Sequence, residues 1–158
     1  MPLEIERKFL VDTARWHPDP AQAVRYRQGY LCSAPDLVVR VRTAGDRAFI
    51  TIKGATEGIT RLEFEYPVPL DDAQIMLERL CGGPLIEKTR YRVPFGGRVW
   101  EVDVFAGDNA GLVLAEVELP SADAPVELPP WVGVEVSDNP RYYNANLSRN
   151  PYRRWAHG

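Results

Sequence analysis

EIERKFL occupies residues 4–10. On an extended backbone, successive side chains alternate between two faces. Glu4, Glu6 and Lys8 then share one face, and Ile5, Arg7 and Phe9 share the other. A face built from two acids and a base needs an explanation. Polar strand faces that meet water usually mix in Ser, Thr, Asn and Gln, and this one does not.

The same reading repeats along the chain. VVRVR (38–42) sets Arg40 and Arg42 against Val39 and Val41, and TIK (51–53) sets Lys53 and Thr51 against Ile52. RLEFE (61–65) sets Arg61, Glu63 and Glu65 against Leu62 and Phe64. KTRYR (88–92) sets Lys88, Arg90 and Arg92 against Thr89 and Tyr91. EVDVF (101–105) sets Glu101 and Asp103 against Val102 and Val104, and AEVEL (115–119) sets Glu116 and Glu118 against Val117. The charges group by segment, as acids or as bases.

Strand-like runs cover 3–11, 24–32, 37–43, 48–53, 60–68, 85–94, 98–106 and 112–120, separated by turn residues such as AGDR (44–47) and Gly96-Gly97. Between the fifth and sixth runs, Leu70, Ala73, Met76, Leu77 and Leu80 have helical spacing. A helix is predicted over 71–81, capped by Asp71 or Asp72 and stopped by Gly82-Gly83. Pro18 and Pro20 break any long helix in the 12–23 loop. The Pro- and Asn-rich tail from residue 121 has no decisive periodicity. Eight short strands with short turns imply a mainly β fold, a closed or nearly closed antiparallel barrel with a few flanking helices. One domain is expected over residues 1–158.

A closed barrel has two faces. Either the interior is apolar and the outside charged, or the reverse holds. A charged lumen is tolerable only with water, mutual pairing or a charged ligand. Grouped Arg and Lys suit a polyanion, since Arg forks phosphate oxygens and Lys supplies a point charge. Grouped carboxylates suit hard cations bound through oxygen, Mg²⁺ or Mn²⁺. Both in one cavity would hold a metal–polyphosphate complex.

Of the 158 residues, 45% are apolar and 26% charged, with a formal net charge of −3. No overall basic excess suggests a nucleic-acid partner. No apolar run approaches the roughly 20 residues of a membrane helix, so no membrane partner is expected. The start, MPLEIERK, carries acids where a signal peptide carries bases, and a cytoplasmic protein is expected. The two cysteines, Cys32 and Cys81, read as free thiols. With no CxxC or HExxH, and with His17 and His157 isolated, a His/Cys metal site is not expected.

Glu4-Ile5-Glu6-Arg7-Lys8 resembles the E-x-E-x-K signature of CYTH domains, also called triphosphate tunnel metalloenzymes. QGYL (28–31), RVR (40–42), TIK, RLEFE, EKTRY (87–91), EVDVF and AEVEL resemble the same family in its order, across nearly the whole chain. QGYL and EVDVF are most similar to the short bacterial inorganic triphosphatases. The resemblance implies an eight-stranded antiparallel tunnel that hydrolyses inorganic tripolyphosphate with divalent metal, Mg²⁺ or Mn²⁺, two ions in all. It places Lys8, Arg40, Arg42, Lys53, Lys88 and Arg90 on the phosphates. It places Glu116 and Glu118 on the metal that bridges the triphosphate, and Glu4 and Glu6 beside a second metal and the attacking water. Asp103 joins the metal-binding acids. Tyr30 matches a tyrosine that works with Lys8. Glu63, Glu65 and Glu101 are further tunnel acids, open to metal contact, water contact or Arg pairing; Arg61 and Arg92 are rim or purely structural residues; and Arg141, in DNPRYYNANLS (138–148), either closes over one mouth or belongs to a packed C-terminal helix. Within the family, class IV adenylyl cyclase and thiamine or nucleoside triphosphatase are alternatives. A non-catalytic polyphosphate-binding module is the alternative of another class. A homodimer stays open.

Overall fold

The charged, alternating segments form strands that close on themselves. The computed structural model describes residues 2–155, so His157 lies outside the described residues. β1 (Leu3–Val11) pairs through its first residues with β5 (Thr60–Pro67) and through Glu6–Leu10 with β8 (Val113–Glu118). From β5 the ring continues through β4 (Arg47–Gly54), β3 (Leu37–Ala44), β2 (Ala23–Ala34), β6 (Gly82–Phe95) and β7 (Arg98–Phe105) to β8. Every neighbouring pair is antiparallel, which makes a closed barrel of eight strands. The turn between β6 and β7 uses Gly96 and Gly97 at φ 59° and 77°, the left-handed pair that a tight hairpin needs.

A short β9 (Val132–Glu135) was not expected. It adds to β1 over Phe9–Val11, and four residues are too few to show an alternation. α1 (Leu70–Arg79) ends two residues before the predicted 81. Neither Asp71 nor Asp72 caps it. Pro69 holds the N-cap position without a side-chain bond, and both acids sit in the first turn, where the helix dipole favours them.

The apolar strand faces point outward, and much of them is covered from outside, though Leu62, Phe64 and Tyr66 of β5 stay exposed. α1 buries Ala73 and Leu77 against Val41 of β3 and Ala48 of β4. The loop segments carrying Trp16 and Trp131 cover Phe9, Trp100, Val102 and Val117 of β1, β7 and β8. Ring centres there lie 5.6 Å apart for Phe9–Trp100 and 5.9 Å for Trp100–Trp131. The hydrophobic core is thus a jacket around the barrel wall, and the lumen is left to the charges.

The tail closes one end. Ile86, Phe105 and Leu114 continue the inner faces of Lys88, Asp103 and Glu116, and they cluster with Leu147 of α2 (Asn144–Arg149) and with Trp155. β1 and β2 lie four steps apart around the ring in either direction, on opposite walls. The tail touches both. The Tyr142 carbonyl accepts from Lys8 Nζ at 3.3 Å, and Asn144 Oδ1 accepts from Gln28 Nε2 at 3.3 Å. It therefore spans the diameter and seals that mouth with an apolar plug.

Candidate active site

The lumen is a cavity of about 690 Å³. Strand alternation delivers Glu4, Glu6 and Lys8 to it from β1, Arg40 and Arg42 from β3, and Lys53 from β4. β5 adds Arg61, Glu63 and Glu65, β6 adds Lys88, Arg90 and Arg92, β7 adds Glu101, and β8 adds Glu116 and Glu118. Burial of so many charges is made tolerable by pairing. Lys53 Nζ meets Glu4 at 3.2 Å and Glu63 at 3.1 Å, and Arg61 Nε meets Glu4 at 3.2 Å. Lys8 Nζ meets Glu116 at 3.3 Å, Arg40 meets Glu65 at 3.5 Å, and Arg92 meets Glu101 at 3.7 Å. Arg90 reaches Glu101 at 3.0 Å and Asp103 at 2.8 Å, and Lys88 reaches Asp103 at 2.7 Å.

Three of the charges have no ion-pair partner among the described residues. Glu6 and Glu118 are directly opposite each other on β1 and β8, acid against acid. Arg42 is the base left over, with the Gln28 side-chain oxygen at 2.9 Å as its hydrogen-bond acceptor. In addition, Arg40 Nε is buried without a hydrogen-bond partner among the described residues. The tunnel thus has an unmet need for a cation on one wall and for an anion on another.

The proton affinities follow the same pattern. Burial raises Glu6 to about 8, with repulsion from Glu116 and Glu4 adding to it. Burial also raises Glu118, helped by Glu4 and Glu101. Burial would raise Glu4 too, but Lys53, a hydrogen bond from Glu63 and Arg61 bring it down to about 2. Glu63, donating that bond and partly buried, rises to about 7. On the other wall, burial lowers Arg42 to about 10, with Arg40 and Arg90 repelling it. Burial lowers Lys88 to about 7 against the pull of Asp103, with Arg90 and Arg42 adding to the drop.

Residues 2–149 match the CYTH domain. This chain belongs to the CYTH family. It is 48% identical over 152 residues to the inorganic triphosphatase of Acetivibrio thermocellus, covering 96% of this chain and 97% of that protein. It is 42% identical over 151 residues to that of Nitrosomonas europaea, covering 92% and 96%. The crystal structure of an inorganic triphosphatase superposes with a TM-score of 0.66 at 38% identity, over 94% of this chain and 95% of that one. The closed barrel is the fold shared with that crystal structure.

Within this CYTH tunnel several expectations change. Asp103 is 1% exposed, and its two oxygens accept from Lys88 Nζ and from Arg90 Nε and Nη2. It sets these two cations in place. Arg141 does not face the lumen. Its guanidinium stacks 3.7 Å above the Trp155 ring, outside the plug. Tyr30 is buried and accepts a hydrogen bond from Gln28 at 3.0 Å. The aromatic ring near Lys8 Nζ is that of Tyr143, at 5.6 Å. Sequence reasoning missed the lining residues Tyr26, Tyr143 and Asn144 and the tail's Arg149, and Gln28, which supports Arg42 from behind. Gln28 and Tyr26 follow the period-two face of β2, which was readable. The tail residues arrive by a crossing that no local pattern signals.

Among the described residues no three His, Cys, Asp or Glu side chains gather to hold an ion by themselves. A divalent metal can still bind here, because one or two carboxylates can hold a hard cation whose shell substrate phosphates and water complete. The opposed pair Glu6 and Glu118 supplies such an edge.

Proposed function

We propose that this chain hydrolyses inorganic tripolyphosphate to diphosphate and orthophosphate inside the tunnel, as a divalent-metal-dependent enzyme formed by a single domain over residues 1–158. The observation that carries it is the charge remainder: among the described residues, two facing acids and one arginine have no ion-pair partner, in a cavity whose other strand-borne charges are all paired. A phosphate chain with bound Mg²⁺ or Mn²⁺ supplies both missing signs. The two triphosphatase relatives, aligned over nearly their whole length, support the same substrate.

In this reading Arg40, Arg42, Lys88 and Arg90 hold the phosphate chain, and Lys53 and Lys8 meet its other end. Glu6 and Glu118, with Glu4 and Glu116 beside them on the same wall, would hold the metal, two ions when substrate is present. Such ions offset phosphate charge and acidify water. Phosphoryl transfer asks the protein mainly for in-line positioning and charge stabilisation. Arg forks fix the chain, Lys8 balances charge on the terminal phosphoryl group, and the plug with Tyr143 and Asn144 keeps bulk water from that end. Water adds to the terminal phosphorus as the bond to the bridging oxygen breaks, and diphosphate departs. We place the protein in the cytoplasm. No helix among the described residues is long and apolar enough to cross a membrane.

The test is phosphate release from tripolyphosphate with Mg²⁺, with Mn²⁺ and with EDTA, beside ATP and thiamine triphosphate at matched concentration. Fast release from tripolyphosphate that EDTA abolishes is expected. Undiminished release in EDTA, or turnover confined to ATP, overturns the proposal. Tight binding without turnover would identify a polyphosphate-binding module.

A further inference from the structure

Tyr26 carries no charge, and neither the alternating pattern nor the family resemblance gives it a task. It lines the cavity from β2, half-buried. β2 lies between β3 and β6 in the ring. Arg42 therefore reaches Tyr26 from one side and Arg90 from the other. Their guanidinium carbons stand 4.8 Å and 4.9 Å from the centre of the tyrosine ring.

The two arginines differ in what else holds them. Arg90 is fixed by Asp103 at 2.8 Å and 2.9 Å and by Glu101 at 3.0 Å. Arg42 has the amide oxygen of Gln28 and no carboxylate within ion-pair distance among the described residues. Like charges in a buried wall repel, and among the described residues no acid stands close enough to Arg42 to pair with it. An aromatic face attracts a cation, and does so most strongly where water is excluded. A ring within reach of two guanidiniums attracts both.

We propose that Tyr26 is a positioning residue for the phosphate chain: its ring holds the Arg42 guanidinium beside Arg90 in the pose that forks phosphate oxygens. The proposal rests on the tripolyphosphate reading above. The ring acts through its π face, so the hydroxyl is dispensable. It acts through Arg42, so its effect disappears when Arg42 is gone. A held guanidinium loses less freedom when the anion arrives. The benefit falls on substrate binding more than on the chemical step, and so on KM more than on kcat.

The experiment is steady-state kinetics of the full chain with Mg²⁺ and tripolyphosphate, for wild type, Tyr26→Phe, Tyr26→Leu, Tyr26→Met, Arg42→Met and the Tyr26→Leu/Arg42→Met double variant. Loss of a desolvated cation–π contact predicts a KM about tenfold higher in Tyr26→Leu and in Tyr26→Met, with kcat within about threefold. Tyr26→Phe should stay within about twofold of wild type. On the Arg42→Met background, Tyr26→Leu should add less than about twofold, because the partner is absent. The proposal is overturned if Tyr26→Phe is as impaired as the ring-less variants, if KM is unmoved in them, or if the effect persists undiminished without Arg42. Two ring-less variants of different shape guard against one failing to fold. A wild-type protein inactive on tripolyphosphate overturns the substrate reading instead. Calorimetric titration with tripolyphosphate in EDTA then tests the clamp through the same variants, with the same ratios expected in Kd.

Discussion

Replacing Asp103 by Asn should be the most damaging single change in the tunnel wall, and its cost should depend on pH in a definite direction. Asp103 neutralises two buried cations at once, Lys88 at 2.7 Å and Arg90 at 2.8 Å. Removing one partner of a buried pair typically costs about 3–5 kcal/mol, because the remaining charge is left uncompensated. For a chain of this size about 1 kcal/mol moves the melting temperature by roughly 2–4 °C, so a drop of about 6–20 °C is expected. Lys88 sets the pH dependence. Its folded pKa is lowered from 10.5 to about 7. Between those values the unfolded chain binds more protons than the folded one, so this lysine makes stability rise with pH, and its penalty is full below about pH 7. Without Asp103 the folded pKa falls further and the penalty below pH 7 grows, whereas well above pH 7 Lys88 is neutral in both proteins. The melting gap between wild type and Asp103→Asn should therefore narrow from pH 6 to pH 9, leaving the part owed to Arg90. Thermal unfolding across that range, without ligand, is the assay. A drop under about 3 °C at pH 6, or a gap that widens as pH rises, would refute the assignment of Asp103 as the counter-charge.

The unpaired residues should respond in the opposite sense. Glu118→Gln removes one of two acids facing each other across β1 and β8, so in EDTA it should melt no lower than wild type and by roughly 0.2–1 kcal/mol more stably, while phosphate release falls and needs more Mg²⁺. Arg42→Met should likewise keep its melting temperature but lose charge-assisted bonds to phosphate of about 1.5–3 kcal/mol, read as a KM rise of roughly 10–150-fold. Arg141→Ala should leave kcat and KM for tripolyphosphate unchanged, since its guanidinium stacks on Trp155 outside the plug; a clear loss of activity would return it to the tunnel mouth.

The barrel was legible because its strands obey period two with full charges on one face, a pattern that survives reading one segment at a time. The jacket was less so. β9 is four residues long, and the plug depends on Leu147 and Trp155 meeting Ile86, Phe105 and Leu114 from far along the chain. That Ile86 and Leu114 sit on the same faces as Lys88 and Glu116 is visible in the sequence. That those faces change from charged to apolar at one common end appears only once the strands are laid side by side.

The division of labour among the charges was hidden for a related reason. EVDVF and AEVEL look alike, each with two acids on one face. Register separates them. Asp103 falls opposite Arg90 and Glu101 opposite Arg92, Glu116 falls opposite Lys8, but Glu118 falls opposite Glu6. Glu4 falls opposite Arg61 and Lys53 opposite Glu63, and although Glu101 also faces Glu116 across β7 and β8, each of those two acids is paired with a cation, which Glu6 and Glu118 are not among the described residues. Each matched pair lowers the cost of a charged lumen, and by the same token is already satisfied. Ligand recognition must then fall first on the mismatches, where a cation or an anion gains what no neighbour supplies. Arg42, set across from Phe49 and Gln28 rather than from an acid, is such a position on the phosphate side. An arginine without a counter-charge needs something else to keep it in place, and in this tunnel that is the face of Tyr26.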